Sequence, residues 1–385
     1  MEEWIKCPLG DILNFRRGHD LPKTSMIPGD IPVAGSNGII GFHNVSTPIS
    51  PCITIGRSGN VGTPYIYDKC WAHNTVLYID DYKGNDPKYL YYLLKTLPLS
   101  SFGGGSAVPT LNRNHIHPLE VVFCKDLGLQ EKIAGILSKI DDKIELNRQI
   151  NDNLEQQAQA IYKSWFVDFE PFKDSKFIES ELGLIPEGWK VGKIKDIIRL
   201  LSGFPFKSSD FVQNGDYQLI TIKGVQDGYL DVTSADRLSS FPPKMPQYCI
   251  LNIGDILISL TGNVGRICIV DRNNLLLNQR VAILAPKNPR DSFYTYTMFR
   301  NELFKNELIH LARGTAQLNL SPIETGDKLA VIPPDSVLEA FAKISKGTFD
   351  QYISIKMENI RLSEMRDTLL PKLMSGELKI NEIDC

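Results

Sequence analysis

The 385-residue chain is predicted to have an α+β fold, with two similar globular domains in tandem and a long α-helix after each. The first observation behind this prediction is an internal repeat. Trp4 returns as Trp189, and the Gly-Asn-Val-Gly sequence at 59–62 returns at 262–265. A period of about 200 residues is far too long for a solenoid unit, so each copy is a whole domain with its helix.

The second observation is the pattern inside the two globular parts, where short apolar runs are separated by Gly, Pro, Asn and Asp. Runs such as Cys52–Gly56 and Pro64–Tyr67 have the length and the flanking residues of strands. Residues 87–97 are predicted to be helical, because Pro87 follows Asp86 and apolar residues recur on one face. Residues 292–311 of the second copy have the same character.

The third observation is a heptad pattern after each domain, conserved in phase at an offset of 208 residues. Apolar residues at 4-3 spacing are typical of a coiled-coil seam, and asparagines within a seam lower stability but fix its register. Because both seams belong to one chain, the two helices are predicted to pack as an antiparallel coiled coil. The predicted seam consists of Ile133, Leu137, Ile140, Ile144, Asn147, Asn151, Leu154 and Ile161 in the first helix, and Phe341, Tyr352, Ile355, Asn359, Leu362 and Leu369 in the second.

These patterns divide the chain into six segments. They are a first domain at 1–128, a first long helix at 129–170, a linker at 171–188, a second domain at 189–336, a second long helix at 337–376 and a tail at 377–385.

Composition excludes several classes of protein. The net charge is −3, and no apolar run approaches the roughly 18 residues of a membrane span. The seven cysteines are scattered without a Cys-x-x-Cys pair, which indicates reduced thiols, no zinc site and a cytoplasmic location. Residues 189–336 hold 17 basic and 14 acidic side chains, whereas residues 1–128 are neutral. Neither domain is strongly basic, so tight binding to a polyanion would need a partner.

Three sequences carry a resemblance to a known family. They are Gln-Ala-Gln-Ala-Ile-Tyr-Lys-Ser-Trp-Phe-Val-Asp-Phe at 157–169, Ile-Pro-Glu-Gly-Trp at 185–189 and Arg-Asp-Thr-Leu-Leu-Pro-Lys-Leu-Met-Ser-Gly-Glu-Leu at 366–378. Together with the tandem repeat, they resemble the specificity (S) subunit of type I restriction–modification systems over essentially the whole chain. One departure is that no Ile-Pro-x-Gly sequence precedes Trp4.

The resemblance implies a non-catalytic subunit with two target-recognition domains, each reading one half of a bipartite sequence in double-stranded DNA. It also implies that the helices set the spacing and dock two methyltransferase (M) subunits, which restriction/translocase (R) subunits join. This chain would bind no cofactor or metal, since its partners would use S-adenosylmethionine, ATP and Mg²⁺.

The Gly-Asn-Val-Gly sequences are the first candidate contacts with DNA. Glycine permits close approach of the backbone, and Ser, Thr, Asn and Arg suit phosphates or base edges. The alternative is a tight turn that only joins two strands. The glycine-rich segment at 103–113 and its counterpart at 313–319 are a second candidate, against a plain solvent loop.

Gln279-Arg280 and His73-Asn74 precede Val281 and Val76, and are assigned to corresponding positions. Glutamine and asparagine can pair with adenine and arginine with guanine, although the sequence does not show which side chain reaches a base. The predicted DNA-binding residues are Arg57, Ser58, Asn60, Asn74, Ser106, Thr110, Asn112 and Arg113 in the first domain, and Thr261, Asn263, Arg266, Gln279, Arg280, Arg313, Thr315, Gln317 and Asn319 in the second.

Two other classes of function compete with this interpretation. A self-contained DNA methyltransferase or nuclease is disfavoured, because the chain has neither a Gly-x-x-x-x-Gly-Lys-[Ser/Thr] sequence nor an Asn/Asp-Pro-Pro motif. His115 and His117 are interpreted as surface histidines and not as zinc ligands. The second alternative is a coiled-coil protein adaptor without DNA contact.

Overall fold

The computed structural model describes residues 4–103, 110–314 and 317–380. The chain forms two compact units: unit 1 comprises Met1–Glu145 and Arg361–Cys385, and unit 2 comprises Leu146–Ile360. Each unit therefore contains one globular domain and a segment of each long helix. No helix in the described part of the chain is long and apolar enough to span a membrane.

In its described residues, the domain of unit 1 combines nine strands with three short α-helices, and the first long helix α4 follows it. The strands are β1 (Trp4–Pro8), β2 (Asn14–Arg17), β3 (Ile31–Gly35), β4 (Gly38–His43), β5 (Cys52–Gly56), β6 (Pro64–Tyr67), β7 (Trp71–Ala72), β8 (Val76–Asp81) and β9 (Glu120–Cys124). The helices are α1 (Leu9–Ile12), α2 (Pro87–Thr96), α3 (Arg113–Ile116) and α4 (Leu127–Phe166). As predicted, α2 begins at Pro87, and the Asp86 carboxylate accepts a hydrogen bond from the Tyr89 N–H at 2.7 Å.

The domain of unit 2 repeats this plan with additional strands. Its strands are β10 (Phe177–Ser180), β11 (Gly183–Pro186), β12 (Lys190–Lys193), β13 (Ile198–Ser202), β14 (Tyr217–Ile220), β15 (Arg237–Leu238), β16 (Ile250–Leu251), β17 (Ile256–Ser259), β18 (Ile267–Ile269), β19 (Leu275–Leu277), β20 (Val281–Pro286) and β21 (Leu329–Ile332). Its helices are α5 (Ser292–Arg300), α6 (Glu302–Leu311), α7 (Pro322–Asp327) and the second long helix α8 (Asp335–Ser375).

The sheets of the two units have the same topology. Four antiparallel strands in the order β2-β8-β5-β6 in unit 1 correspond to β13-β20-β17-β18 in unit 2. A second sheet contains one parallel pair in each unit, β3 with β7 and β14 with β19. In each unit an early strand pairs with the last strand before a long helix begins, β1 with β9 and β12 with β21. The tandem repeat predicted from the sequence is confirmed.

The two long helices pair antiparallel within each unit, as predicted. In unit 1, Arg366 of α8 donates a hydrogen bond to Asp141 of α4 at 2.8 Å. In unit 2, Asn147 donates to Asn359 at 2.9 Å, and the ring of Phe166 lies 4.8 Å from that of Phe341. Residues later in α4 therefore contact residues earlier in α8, which is the antiparallel arrangement. All the predicted seam side chains are buried or half-buried.

The region at 292–311, which the sequence predicts to be helical in character, consists of two helices, α5 and α6, which meet at Asn301. Asn301 has an extended backbone, and its side chain accepts a hydrogen bond from the Phe304 N–H, so it caps α6. The helical character is confirmed, and the break at Asn301 arises because the capping residue ends one helix and starts the next.

Candidate nucleic-acid interface

An open cleft of about 510 Å³ in unit 2 brings together five of the residues predicted to bind DNA. Its lining comes from four separate chain segments, namely the end of β13, the turn after β17, the turn before β20 and the segment before α7. The lining residues are Ser202, Leu260, Thr261, Gln279, Arg280, Gln317, Asn319, Leu320 and Pro322. Among these, Arg280 carries the only charge, and the other polar groups are amides and hydroxyls.

Backbone hydrogen bonds hold the cleft together. The Leu260 N–H donates to the Arg280 carbonyl at 2.9 Å, and the Leu320 N–H donates to the Leu260 carbonyl at 2.7 Å. The Thr261 hydroxyl donates to the side-chain oxygen of Asn319 at 2.9 Å, so the orientation of that amide is fixed. Gln279 and Arg280 have exposed side chains. The result is a rigid rim with exposed amide and guanidinium groups, the side chains that pair with adenine and guanine.

Unit 1 builds the same framework from different side chains. The Arg57 N–H donates to the Thr75 carbonyl at 2.8 Å, and the Leu111 N–H donates to the Arg57 carbonyl at 2.7 Å. These bonds place Arg57 where unit 2 has Leu260, and Thr75 where it has Arg280. A single bridge joins Ser58 to Thr110, as another joins Thr261 to Asn319.

These bonds correct two of the sequence correspondences. The Leu-Asn pairs at 111–112 and 318–319 align Leu111 with Leu318 in sequence, but Leu111 is equivalent to Leu320, because both are buried and both donate to the turn after the equivalent strand. Likewise, Asn74-Thr75 and not His73-Asn74 corresponds to Gln279-Arg280. The match at Leu111 was displaced by two residues, and the match at Gln279-Arg280 by one residue. Short motifs cannot show which residue makes the shared backbone hydrogen bond.

The two Gly-Asn-Val-Gly turns have a clear structural role. All four glycines, Gly59, Gly62, Gly262 and Gly265, have positive φ angles between 74° and 88°, which side chains with a Cβ rarely adopt. Val61 and Val264 are buried beneath the turns. Backbone geometry therefore accounts for the recurrence of three of the four residues. Asn60 and Asn263 are exposed and remain available for contact.

Several other predicted DNA-binding residues lie outside the unit 2 cleft or have structural partners. Arg266 donates to Gln226 at 2.5 Å, Arg313 pairs with Glu324 at 2.6 Å, and Asn112 caps α3. Arg113 donates to the Phe15 carbonyl at 3.2 Å. Ser106 and Thr315 lie outside the described residues.

The equivalent site of unit 1 is richer in positive charge. Burial, together with the nearby charge of Arg17, lowers the pKa of the Arg57 guanidinium from its ordinary value. Arg57 approaches the Asn74 carbonyl at 3.5 Å, and Asn74 in turn donates to Asp20. Two neighbouring guanidinium groups repel each other, so an anion between them would relieve that repulsion.

The sequence analysis missed Arg17 and its counterpart Ser202. Arg17 precedes Gly18, whose N–H donates a hydrogen bond to the Val76 carbonyl at the start of β8. Ser202 precedes Gly203, whose N–H donates one to the Val281 carbonyl at the start of β20. A Cβ on either glycine would lie within 2.3 Å of a carbonyl oxygen, so only glycine fits there. A signal was present, because these glycines are 185 residues apart, the same offset as Trp4 and Trp189.

The interpretation of His117 as a surface histidine was wrong. Its ring is half-buried and stacks on Phe15 at 6.0 Å, and its Nε2 accepts a hydrogen bond from the Phe15 N–H at 3.1 Å. Burial, followed by the charges of Arg113 and Lys83, lowers its pKa. His117 therefore braces the strand that carries Arg17. In the described part of the chain, no group of three His, Cys, Asp or Glu side chains could hold a metal ion.

Two α+β domains with one topology, paired long helices and different side chains on equivalent rims define a class of tandem-domain scaffold. The model of the type I restriction modification DNA specificity domain family matches residues 1–156 and 186–325. The chain belongs to this family, as the sequence resemblance predicted.

Three similar proteins agree with this assignment. The type I restriction enzyme MjaIX specificity subunit of Methanocaldococcus jannaschii is 30% identical over 308 residues, which cover 77% of this chain and 70% of the relative. The HindI specificity subunit of Haemophilus influenzae is 27% identical, over 66% of this chain and 68% of its own. The crystal structure of the S subunit from M. genitalium shares the fold, with a TM-score of 0.58, 18% identity and 96% of both chains covered.

Proposed function

We propose that this chain is the non-catalytic sequence-recognition subunit of a type I restriction–modification complex, and that each unit reads one half of a bipartite DNA target. The observation that carries the proposal is the pair of equivalent rims. The backbone bonds are the same in both, but Arg57, Asn74 and Thr75 in one unit stand where Leu260, Gln279 and Arg280 stand in the other. Because the two backbone frames are the same, both units would dock on DNA in the same way. Because their polar side chains differ, they would read different base sequences.

The paired long helices would set the distance between the half-sites and dock two methyltransferase subunits, with restriction/translocase subunits joining the complex. Support for docking comes from apolar side chains that the helices leave exposed. Leu146 is 52% exposed, Ile344 54% and Met365 52%. S-adenosylmethionine, ATP and Mg²⁺ would be bound by those partners and not by this chain.

The proposal predicts that each unit recognises its own DNA half-site independently of the other. With the methyltransferase partner present, Arg57→Ala should weaken discrimination in one half-site, and Gln279→Ala in the other. Each lost base contact should cost about 1–3 kcal/mol. Genome-wide mapping of methylated adenines measures both half-sites at once. Matched controls are Arg16→Ala, beside the site on β2, and Gln213→Ala, an exposed residue outside the cleft.

A change of both half-sites by either variant would show that the units do not read separately. A self-contained enzyme would methylate or cut DNA without partners. A protein adaptor would give no salt-dependent mobility shift on DNA, with or without the methyltransferase, whereas phosphate contacts make binding fall steeply with salt.

A further inference from the structure

We propose that a third loop in each unit supplies a side chain that discriminates between bases, Asn37 in unit 1 and Lys223 in unit 2. Neither residue belongs to a sequence motif shared by the two copies. The inference rests on the proposed function and adds a specificity-determining position to each recognition site.

In unit 1 the loop between β3 and β4 is bonded directly to the recognition rim. Ser36 is buried, and its hydroxyl lies 2.6 Å from the Ser58 carbonyl and 2.7 Å from the Thr75 carbonyl. Those two residues belong to the two turns that form the rim. Asn37 follows at the tip of the loop, and its side chain is exposed. The hydroxyl of Ser36 therefore fixes Asn37 beside the rim.

The loop after β14 is the counterpart in unit 2. The His73 N–H donates to the Ala34 carbonyl at 3.0 Å, and the Asn278 N–H donates to the Ile220 carbonyl at 3.1 Å. Ser36 lies two residues after Ala34, and Ile222 lies two residues after Ile220. Ile222 is therefore equivalent to Ser36, and Lys223 is equivalent to Asn37.

Ile222 reaches the same rim as Ser36 does. A Cβ on Gly262, in the second Gly-Asn-Val-Gly turn, would lie 3.6 Å from the Ile222 Cδ1 atom. One unit thus holds this loop to its rim with a hydroxyl and the other with an apolar contact. Because the anchors differ in chemistry, sequence comparison of the two copies does not reveal the shared position.

The loop of unit 2 is braced from behind. The Lys223 carbonyl accepts a hydrogen bond from Gln226 at 2.7 Å, and Gln226 accepts one from Arg266 at 2.5 Å. Arg266, which the sequence assigned to DNA, instead supports the loop that carries Lys223. The Lys223 side chain is exposed.

The two side chains suit different bases. An asparagine amide can both donate to and accept from the edge of adenine, whereas a lysine ammonium only donates and suits the O6 and N7 acceptors of guanine. We therefore expect Asn37 to specify an A·T pair in one half-site and Lys223 a G·C pair in the other.

The test uses the full chain with its methyltransferase partner and maps methylated adenines in cells. Asn37→Ala should relax one base pair of one half-site by about 5- to 150-fold and leave the other half-site unchanged. Lys223→Met should relax one base pair of the opposite half-site. The controls are Asn44→Ala, an exposed asparagine just beyond the opposite end of β4, and Lys190→Met, an exposed lysine on β12.

Unchanged half-sites in both variants, alongside altered half-sites in Arg57→Ala and Gln279→Ala, would overturn this inference and leave the proposed function standing. A uniform loss of methylation at all sequences would also overturn it, because that is the behaviour of a phosphate contact. If the unmodified chain directs no bipartite methylation, the proposed function itself fails. Thermal unfolding of each purified variant verifies that it folds like the parent chain.

Discussion

The same backbone position supports different residues in the two units. Arg57 and Leu260 make identical backbone hydrogen bonds through their N–H and carbonyl groups, and neither bond depends on the side chain. Each turn is instead fixed by its glycines and by a buried valine. Side chains at the rim can therefore change without loss of the fold.

His117 gives a prediction at the scale of one residue. Its pKa in the folded chain lies below the ordinary 6.5, mainly because of burial and then because of the charges of Arg113 and Lys83, and its unprotonated Nε2 accepts from the Phe15 N–H. As pH falls below 6.5, the unfolded chain binds a proton that the folded chain does not. Stability is therefore complete above pH 6.5 and declines as pH approaches the lower folded value.

Thermal unfolding between pH 7.5 and pH 5 measures this decline, over a window of about one to two units around the reference pKa of histidine. His117→Gln, which keeps an acceptor but does not titrate, should flatten the curve. His115→Gln is the matched control, since His115 is an exposed histidine two residues away. Equal pH dependence in both variants would contradict a titrating role for His117.

At the scale of elements, hydrogen bonds and ion pairs connect the second domain to the long helices of unit 2. The side chains that make them are called the clasp below. Arg300 of α5 pairs with Glu155 of α4 at 3.1 Å and with Asp227 at 2.5 Å. Tyr296 donates to Glu155 at 2.6 Å, and its hydroxyl lies 3.1 Å from that of Tyr352 on α8. Tyr352, predicted only as a seam residue, thus also joins the helix pair to the domain.

This clasp predicts a double-mutant result. The side chains of Arg300 and Glu155 are each only 17% exposed, so removing one partner leaves a charge largely buried. Arg300→Met should lower the free energy of unfolding by about 3–5 kcal/mol. Arg300→Met combined with Glu155→Leu should recover much of that loss, because no uncompensated charge remains.

Denaturant unfolding of the single and double variants measures the coupling between the two side chains. Lys343→Met serves as the control, since its ion pair with Glu339 is exposed to solvent and should contribute little to stability. If the single and double variants were equally destabilised, the clasp would contribute by packing and not by charge.

At the scale of the whole molecule, the long helices are the proposed ruler. On α4, Asp141 accepts a hydrogen bond from Tyr92 of the first domain at 2.8 Å, and Glu155 accepts one from Tyr296 of the second domain at 2.6 Å. Four residues inserted after Glu145, and four after Ile360 on the opposite helix, would lengthen both helices together by about one turn. Each helix would lengthen by about 6 Å.

At about 3.4 Å per base pair, this insertion corresponds to one or two base pairs. The variant should methylate the same half-sites with a spacer longer by one or two base pairs, as read from methylated adenines in cells. Insertion of four residues in the exposed loop at 213–214 is the control, since it leaves both helices unchanged. Retained activity with the old spacer would show that the methyltransferase subunits set the distance.

The sequence by itself determined the repeat, the α+β class and the antiparallel helix pair, because each depends on a periodic or recurring pattern. Heptad spacing predicts a seam wherever it occurs, and the buried Leu137 and Phe341 follow from it. Helix α2 was predicted from Asp86 and Pro87, since capping is a local interaction. The candidate residues Thr261, Gln279 and Asn319 were also selected from sequence.

Only the tertiary structure decided which of those candidates share a cleft, and it added Ser202, Arg17, Asn37 and Lys223. Within each unit, such residues lie on chain segments far apart in sequence, and contacts between those segments, chiefly backbone hydrogen bonds, bring them together. Ser36 holds its loop through its hydroxyl and Ile222 holds the equivalent loop through an apolar contact, so the two copies share no side-chain pattern at this position. The fold of this protein is encoded in repeated patterns, whereas its recognition surface depends on contacts between segments that no local pattern records.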